Sequence, residues 1–274
     1  MEASVVSTFF VVFREALEAS LIVGIILTVL ARLKAMRYVP HVTVSVLAAG
    51  GASLLVAWGM ESLIGILGKD AEKILEGLIS LLACVVLTYM VFWMDKQARR
   101  IRPEIETKLE DAVSKSELFA IITLPFIAVL REGFETVLFL KAVAIQSSGS
   151  VSFWGGISGF ALAVLIAAAI FVGGKRVPLK PLFQWTGYFL LLIAGGLLAY
   201  GIHELHEANW IPPVIDPIWN INHILNDKEG VGLFMKALFG YNGNPSLVEV
   251  TAYGLYFVFV LIFLKKGREQ AATV

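Results

Sequence analysis

This chain of 274 residues has almost no cysteine and few charges. Its single cysteine, Cys84, lies in the apolar run ISLLACVVLTYMVFW. It has no partner for an internal disulfide and reads as a small packing residue. Charged residues make up 16%, against about 25% in an ordinary soluble domain. With 58% hydrophobic residues and a mean hydropathy of +0.79, that scarcity excludes a large soluble helical core. There is no GxxxxGK[ST] loop, which argues against ATP hydrolysis, and no zinc-finger spacing. Met60, Met90 and Met94 form no soft-metal row, which weighs against a copper transporter. The first apolar run has no positive n-region and continues too far for a cleaved signal, so it is expected to be a retained first span. Basic and acidic residues balance at 22 each, so net charge names no partner.

What is present is a set of long apolar runs. Seven candidate spans cover 5–31, 41–67, 74–94, 118–145, 152–173, 184–207 and 246–264. The connections alternate in basic charge, with fifteen Lys and Arg on one side and four on the other. Positive charge favours the cytoplasmic side, so the N-terminus is expected outside and the C-terminus inside. Residues 95–117 mix both signs and are expected to form a cytoplasmic helical connection. Residues 208–245 carry prolines that stop the sixth helix, with Trp210 and Trp219 suited to an interface. Two short surface helices or a structured loop fit this segment equally.

Two stretches break the apolar pattern. REALE occupies 14–18 in the first span and REGFE occupies 131–135 in the fourth. Glutamates three apart are separated by about 60° on a helix, and an Arg–Glu pair four apart by about 40°. Arg14, Glu15 and Glu18 therefore share one face, as do Arg131, Glu132 and Glu135. Ionisable groups at membrane depth are costly and face a bundle interior or a wet cavity. Carboxylates suit hard cations, and the arginines offset their mutual repulsion. The bland alternative is a pair of buried salt bridges that only fix packing. Spans one to three begin outside and spans four to six inside, so the motifs lead two inverted trios, a construction known in secondary transporters. The expected fold is an all-α polytopic membrane protein. It is a single transport domain over 1–274, with a first repeat at 5–94, an inverted repeat at 118–207, an extracytoplasmic loop at 208–245 and a seventh helix at 246–264. Pro125 is placed to kink the fourth span, and Ala16, Ala19, Ser20, Gly24 and Gly133 are small enough for close helix contact.

A second group of acids gathers at the expected outer side: Glu61, Glu72, Glu76, Glu249 and the HELHE stretch with His203, Glu204, His206 and Glu207. Histidine beside glutamate suits Fe²⁺ or a similar transition metal. Glu76, His203, Glu204 and Glu207 are the candidate metal residues of an outer vestibule, against the simpler reading of solvated helix ends. Lys141 either snorkels outward or pairs with an acid.

Together these motifs resemble the high-affinity iron permease family, the iron/lead permeases of fungi and bacteria. The resemblance rests on REALE, REGFE, the seven spans, Glu76-Gly77 before the third span and GIHELHE at the sixth. It implies inward iron transport, as Fe²⁺ or Fe³⁺, with no resident cofactor. Glu15, Glu18, Glu132 and Glu135 would be the carriers, with Arg14 and Arg131 supporting. It also implies a periplasmic or surface partner that oxidises or delivers iron, and the compact chain is closest to the bacterial form. Members commonly read REGLE twice; here Ala16 and Phe134 depart from that pattern, while Leu17 keeps it. The rival readings are a transporter or exchanger for Mn, Pb or Ca and a membrane di-metal oxidoreductase. No histidine lies in spans one or four to complete the latter's ligand set. A scaffold without transport would leave the duplicated acids unexplained.

Overall fold

The computed structural model describes residues 2–64, 68–97, 101–146, 151–173, 179–212, 214–227 and 229–272. The 147–150 connection and the 174–178 stretch, both used in the charge count, lie outside the described residues. Among those described, the chain is helical and without strands. The elements are α1 (Glu2–Arg32), a short turn of 3₁₀ helix at Met36–Tyr38, α2 (Val39–Ile64), α3 (Lys69–Gln97), α4 (Ile101–Ser114), α5 (Leu118–Gln146), α6 (Phe153–Phe171), α7 (Leu179–Glu207), α8 (Gly230–Phe239) and α9 (Leu247–Ala272).

Among the described residues, five helices are long and apolar enough to cross a membrane: α2, α3, α6, α7 and α9. α1 and α5 match them in length but carry the charged pentapeptides. The chain is a multi-pass membrane protein. Its outward faces are apolar, with Leu47, Leu54 and Trp58 on α2, Phe160 and Leu165 on α6, and Leu255 and Leu261 on α9 all exposed.

Three helices end in the same way. Lys34, Ser116 and Asn209 adopt positive φ. The next residue's N–H then reaches back five positions, from Ala35 to Leu30 at 2.8 Å, Glu117 to Ala112 at 2.9 Å and Trp210 to Leu205 at 2.9 Å. This left-handed cap satisfies carbonyls that the helix leaves open. α4 is a helix within the expected 95–117 connection. Its Leu109 and Ala112 pack with Ile26, Leu30 and Val42 at one end of the bundle, where an Arg32–Glu110 ion pair ties it to α1. α5 runs helical through Pro125, and Ser45 of α2 donates to the Ile122 carbonyl at 2.6 Å beside it.

The packing partners of α1 and α5 correspond. α1 lies mainly against α6, α5 mainly against α2, and the two also meet each other. α3 crosses α7, α1 touches α7 and α3 touches α5. The α3–α7 crossing is centred on glycines. A Cβ on Gly77 would come 3.0 Å from the Gly201 carbonyl, and a Cβ on Gly201 equally near the Gly77 carbonyl. The largest core is built around Leu87, Phe139, Leu190, Ile193 and Leu197.

Candidate metal-ion site

Close helix contact brings the two charged stretches together. α6 approaches α1 through Gly155 and Gly159, whose Cβ atoms would fall 2.4 Å from the Val5 carbonyl and 2.6 Å from the Phe9 carbonyl. α2 approaches α5 where a Cβ on Gly133 would meet Ser53 Oγ at 2.0 Å. Gly24 faces the Phe171 ring in the same manner. With α1 and α5 so held, Glu15, Glu132 and Glu135 each place a carboxylate oxygen within 4.8 Å of the others. All four motif glutamates are buried, with Glu15 1% exposed and Glu18 8%.

The arginines differ. Arg14 is buried and donates through Nη1 to Glu15 Oε1 and to Met90 Sδ, both at 3.1 Å. Its Nη2 lies 3.2 Å from Glu18 Oε1. The Arg131 side chain is 44% exposed. It donates from Nε to Glu135 Oε1 at 2.9 Å and lies 4.9 Å over the Trp93 ring.

One oxygen on each of three glutamates remains without a partner, Glu15 Oε2, Glu132 Oε2 and Glu135 Oε2, while Glu18 Oε1 accepts no hydrogen bond but faces Arg14 in an ion pair. Buried acceptors left open are costly. Four carboxylates against two guanidiniums leave two negative charges when all are ionised, the charge a divalent cation neutralises. Metal–oxygen bonds of roughly 2 Å put neighbouring ligand oxygens about 3–4 Å apart, near the observed separation. The contact of Met90 and Trp93 with the arginines is visible only in three dimensions.

The outer acids divide. His203 bridges two carboxylates, Glu249 through Nδ1 at 3.1 Å and Glu207 through Nε2 at 3.3 Å. Lys73 pairs with Glu207 at 2.5 Å. His203, Glu207 and Glu249 line a common cavity in which Glu76 and Glu204 take no part. Glu204 is buried and hydrogen-bonds Tyr200, while Glu76 feels the charges of Glu204, Glu72 and Lys141. Lys141 pairs with Glu61 at 2.5 Å, and His206 lies 3.6 Å from Asp216. The expected single vestibule is thus two groups, each partly neutralised by lysine. Glu249 is more central than its position at the start of a helix suggests. It also accepts from Asn242 at 2.9 Å and Ser246 at 3.0 Å.

The sequence profile described as the iron permease FTR1 family matches residues 5–266. The chain is 33% identical over 268 residues to a protein of Yersinia pestis named ferrous iron permease EfeU, covering 97% of this chain and 95% of that one. Proteins of the same name from Escherichia coli O6:H1 (strain CFT073) and Shigella sonnei are each 32% identical over 267 residues, covering 97% of both chains. No solved structure gives a significant match.

Proposed function

We propose, from the premise that the chain belongs to the iron permease FTR1 family, that it carries iron across the membrane between its paired RExxE motifs. The observation that carries this reading is the convergence of buried Glu15, Glu132 and Glu135 oxygens within 4.8 Å. The substrate is Fe²⁺, in keeping with the named activity of the relatives. Iron is cargo here, and no resident cofactor is invoked.

The open carboxylate oxygens would replace part of the ion's water shell. Three monodentate glutamates leave about half of an octahedral shell to water or backbone carbonyls. A partly hydrated ion binds loosely enough to leave, which a conducting site requires. Glu18 would accept the ion next, from its place beside Arg14. Arg14 and Arg131 hold carboxylates in place by directional bonds that a lysine reproduces poorly.

The chain crosses the membrane seven times, with α1 and α5 among the spans, its N-terminus outside and transport inward. The basic-charge asymmetry supports this orientation. Residues 5–94 and 118–207 form inverted repeats. Support comes from the packing partners: exchanging α1 with α5, α2 with α6 and α3 with α7 maps the α1–α6 contact onto α5–α2 and the α1–α7 contact onto α5–α3. Residues 208–245 are the extracytoplasmic loop and 246–264 the seventh span of a single transport domain in the cell membrane. Glu76, His203, Glu204 and Glu207 draw cations toward the site from outside, where an iron-oxidising or iron-delivering partner would dock.

The test is initial Fe²⁺ flux per folded protein in liposomes, with Mn²⁺ in parallel. Loss of flux in Glu→Gln variants at 15, 132 and 135 with normal assembly is expected; normal flux in all three returns the motifs to packing. Flux of Mn²⁺ in preference to iron would favour the other-cation reading. Iron oxidation without flux would favour a di-metal oxidoreductase. For topology, Ala112 of α4 is buried, so cysteines belong at exposed Ser114 and Ile224. Only Ile224→Cys should label from outside.

A further inference from the structure

The segment 208–245 does not simply lie over the bundle. It dips in. Gly240 adopts φ 69° and ends α8. A Cβ on Gly196 would lie 2.7 Å from the Gly240 N and 2.6 Å from Gln146 Nε2. Gly196 is eleven residues before the end of α7, roughly 16 Å along the axis. Two interior side chains hold the C-terminal carbonyls of α8 at this depth, and the helix's own cap closes on one of them. Gln146 donates to the Lys236 carbonyl at 3.0 Å, Gly240 to the same oxygen at 2.9 Å and Tyr253 to the Phe239 carbonyl at 2.9 Å.

A cavity of about 310 Å³ opens beside this helix end, lined among others by Gln146, His203, Asp227, Lys236, Asn242 and Glu249. Two oxygens on residues of its lining have no hydrogen-bond partner, Gln146 Oε1 and Asp227 Oδ1. Both residues are more than nine-tenths buried, at 1% and 5% exposure. Glu249, 3% exposed, is fixed by His203, Asn242 and Ser246. The cavity lining carries the carboxylates of Asp227, Glu207 and Glu249 with one lining ammonium, Lys236, while Lys73 is also paired with Glu207. The carbonyl end of a helix adds partial negative charge.

We propose that this cavity is a second cation site, holding a divalent metal ion that keeps most of its water shell. Asp227 and Gln146 supply oxygens from the protein, and Glu249 supplies fixed charge. Six waters occupy roughly 180 Å³ at about 30 Å³ each, so a hydrated ion fits the space, while the three motif glutamates offer a close-set shell instead. The oxygens here are not drawn tightly together, which suits outer-shell capture and rapid exchange. The site's place on a transport route rests on the permease reading; its binding of an ion does not.

The experiment uses the full chain in nanodiscs and Mn²⁺ as probe, read by electron paramagnetic resonance and by water-proton relaxation. The background carries Glu15→Gln, Glu132→Gln and Glu135→Gln, so that the motif site is counted separately as wild type minus background. One exchangeable Mn²⁺ with bound water is expected to remain. Asp227→Asn and Gln146→Leu should each weaken it, Asp227→Asn by about tenfold, because affinity at oxygen sites follows ligand charge. Lys236→Met should tighten it, an effect opposite in sign to anything misfolding produces. Absence of bound Mn²⁺ in the background, or affinity unmoved by all three cavity variants, overturns the proposal and leaves the cavity a site for buried water only.

Discussion

The same pentapeptide pattern occurs twice, yet its arginine meets two different surroundings. Arg14 is 1% exposed and touches Glu15, Glu18 and Met90. Arg131 is half exposed, with one carboxylate and the Trp93 ring. The position after the first glutamate differs too. Ala16 packs beside Phe13, Leu17 and Ala163, whereas Gly133 has Ser53 directly over it. A repeated motif therefore does not carry repeated energetics. Three of the four carboxylates converge, while their surroundings differ with the helices alongside, α3 beside both arginines, α6 against α1 and α2 against α5.

The largest effect expected is on transport. Glu15→Gln, Glu132→Gln and Glu135→Gln keep size but remove charge, and each should lower Fe²⁺ flux at least about tenfold, the equivalent of about 1.4 kcal/mol. Glu18→Gln should cost least of the four, because Glu18 lies outside the close triad. Equal losses at all four positions would make the ion path symmetric and erase the distinction.

Stability should separate the arginines next. Arg14→Leu leaves the neighbouring carboxylates buried without their main counter-charge, a change of about 3–5 kcal/mol. Arg131→Leu gives up a partly solvated pair and should stay within about 1 kcal/mol. Denaturant melts in detergent measure both. Similar melts for the two variants would show that the half-exposed position of Arg131 is not maintained in the detergent-solubilised protein.

The motif faces were legible in the sequence because helical spacing alone puts residues i, i+1 and i+4 on one side. The helices too were legible, since long apolar runs leave few alternatives at this composition. What lay beyond reach was lateral. Nothing in REALE or REGFE says that Met90 and Trp93 of α3 stand beside the two arginines. The outer acids appeared as one group because they share a side, but lysines 73 and 141 divide them. The segment 208–245 offered two short helices or a loop. It holds one helix among the described residues, and its depth depends on glycine contacts at Gly196 and Gly240 that no local pattern announces.

The glycine difference gives a finer test. Gly133→Ala would place its Cβ 2.0 Å from Ser53 Oγ and 2.8 Å from Ser53 Cβ. A hydroxyl can rotate away, but Ser53 Cβ is fixed to the α2 backbone, so the helices must part slightly. Overpacking of this kind costs about 1–3 kcal/mol. Ser53→Gly should restore most of it in the double variant. Ala16→Gly should cost only the helix-propensity difference, about 1 kcal/mol or less. A Gly133→Ala protein as stable and active as wild type would show that α2 is free to shift against α5.

The smallest effect expected is at Trp93. Its ring lies under the Arg131 guanidinium at 4.9 Å, and a contact of this type at a partly exposed position contributes about 0.5–1 kcal/mol. Trp93→Phe keeps an aromatic face and should change little. Trp93→Leu keeps an apolar side chain without the ring's negative face, so Arg131 should be held by Glu135 alone. Two outcomes then distinguish anchoring from plain packing. If the ring positions the guanidinium, Trp93→Leu lowers iron flux modestly, and adding Arg131→Lys to it costs less than Arg131→Lys costs in wild type. If Trp93 only fills space, the two changes add independently, and the second motif's arginine depends on Glu135 with no help from α3.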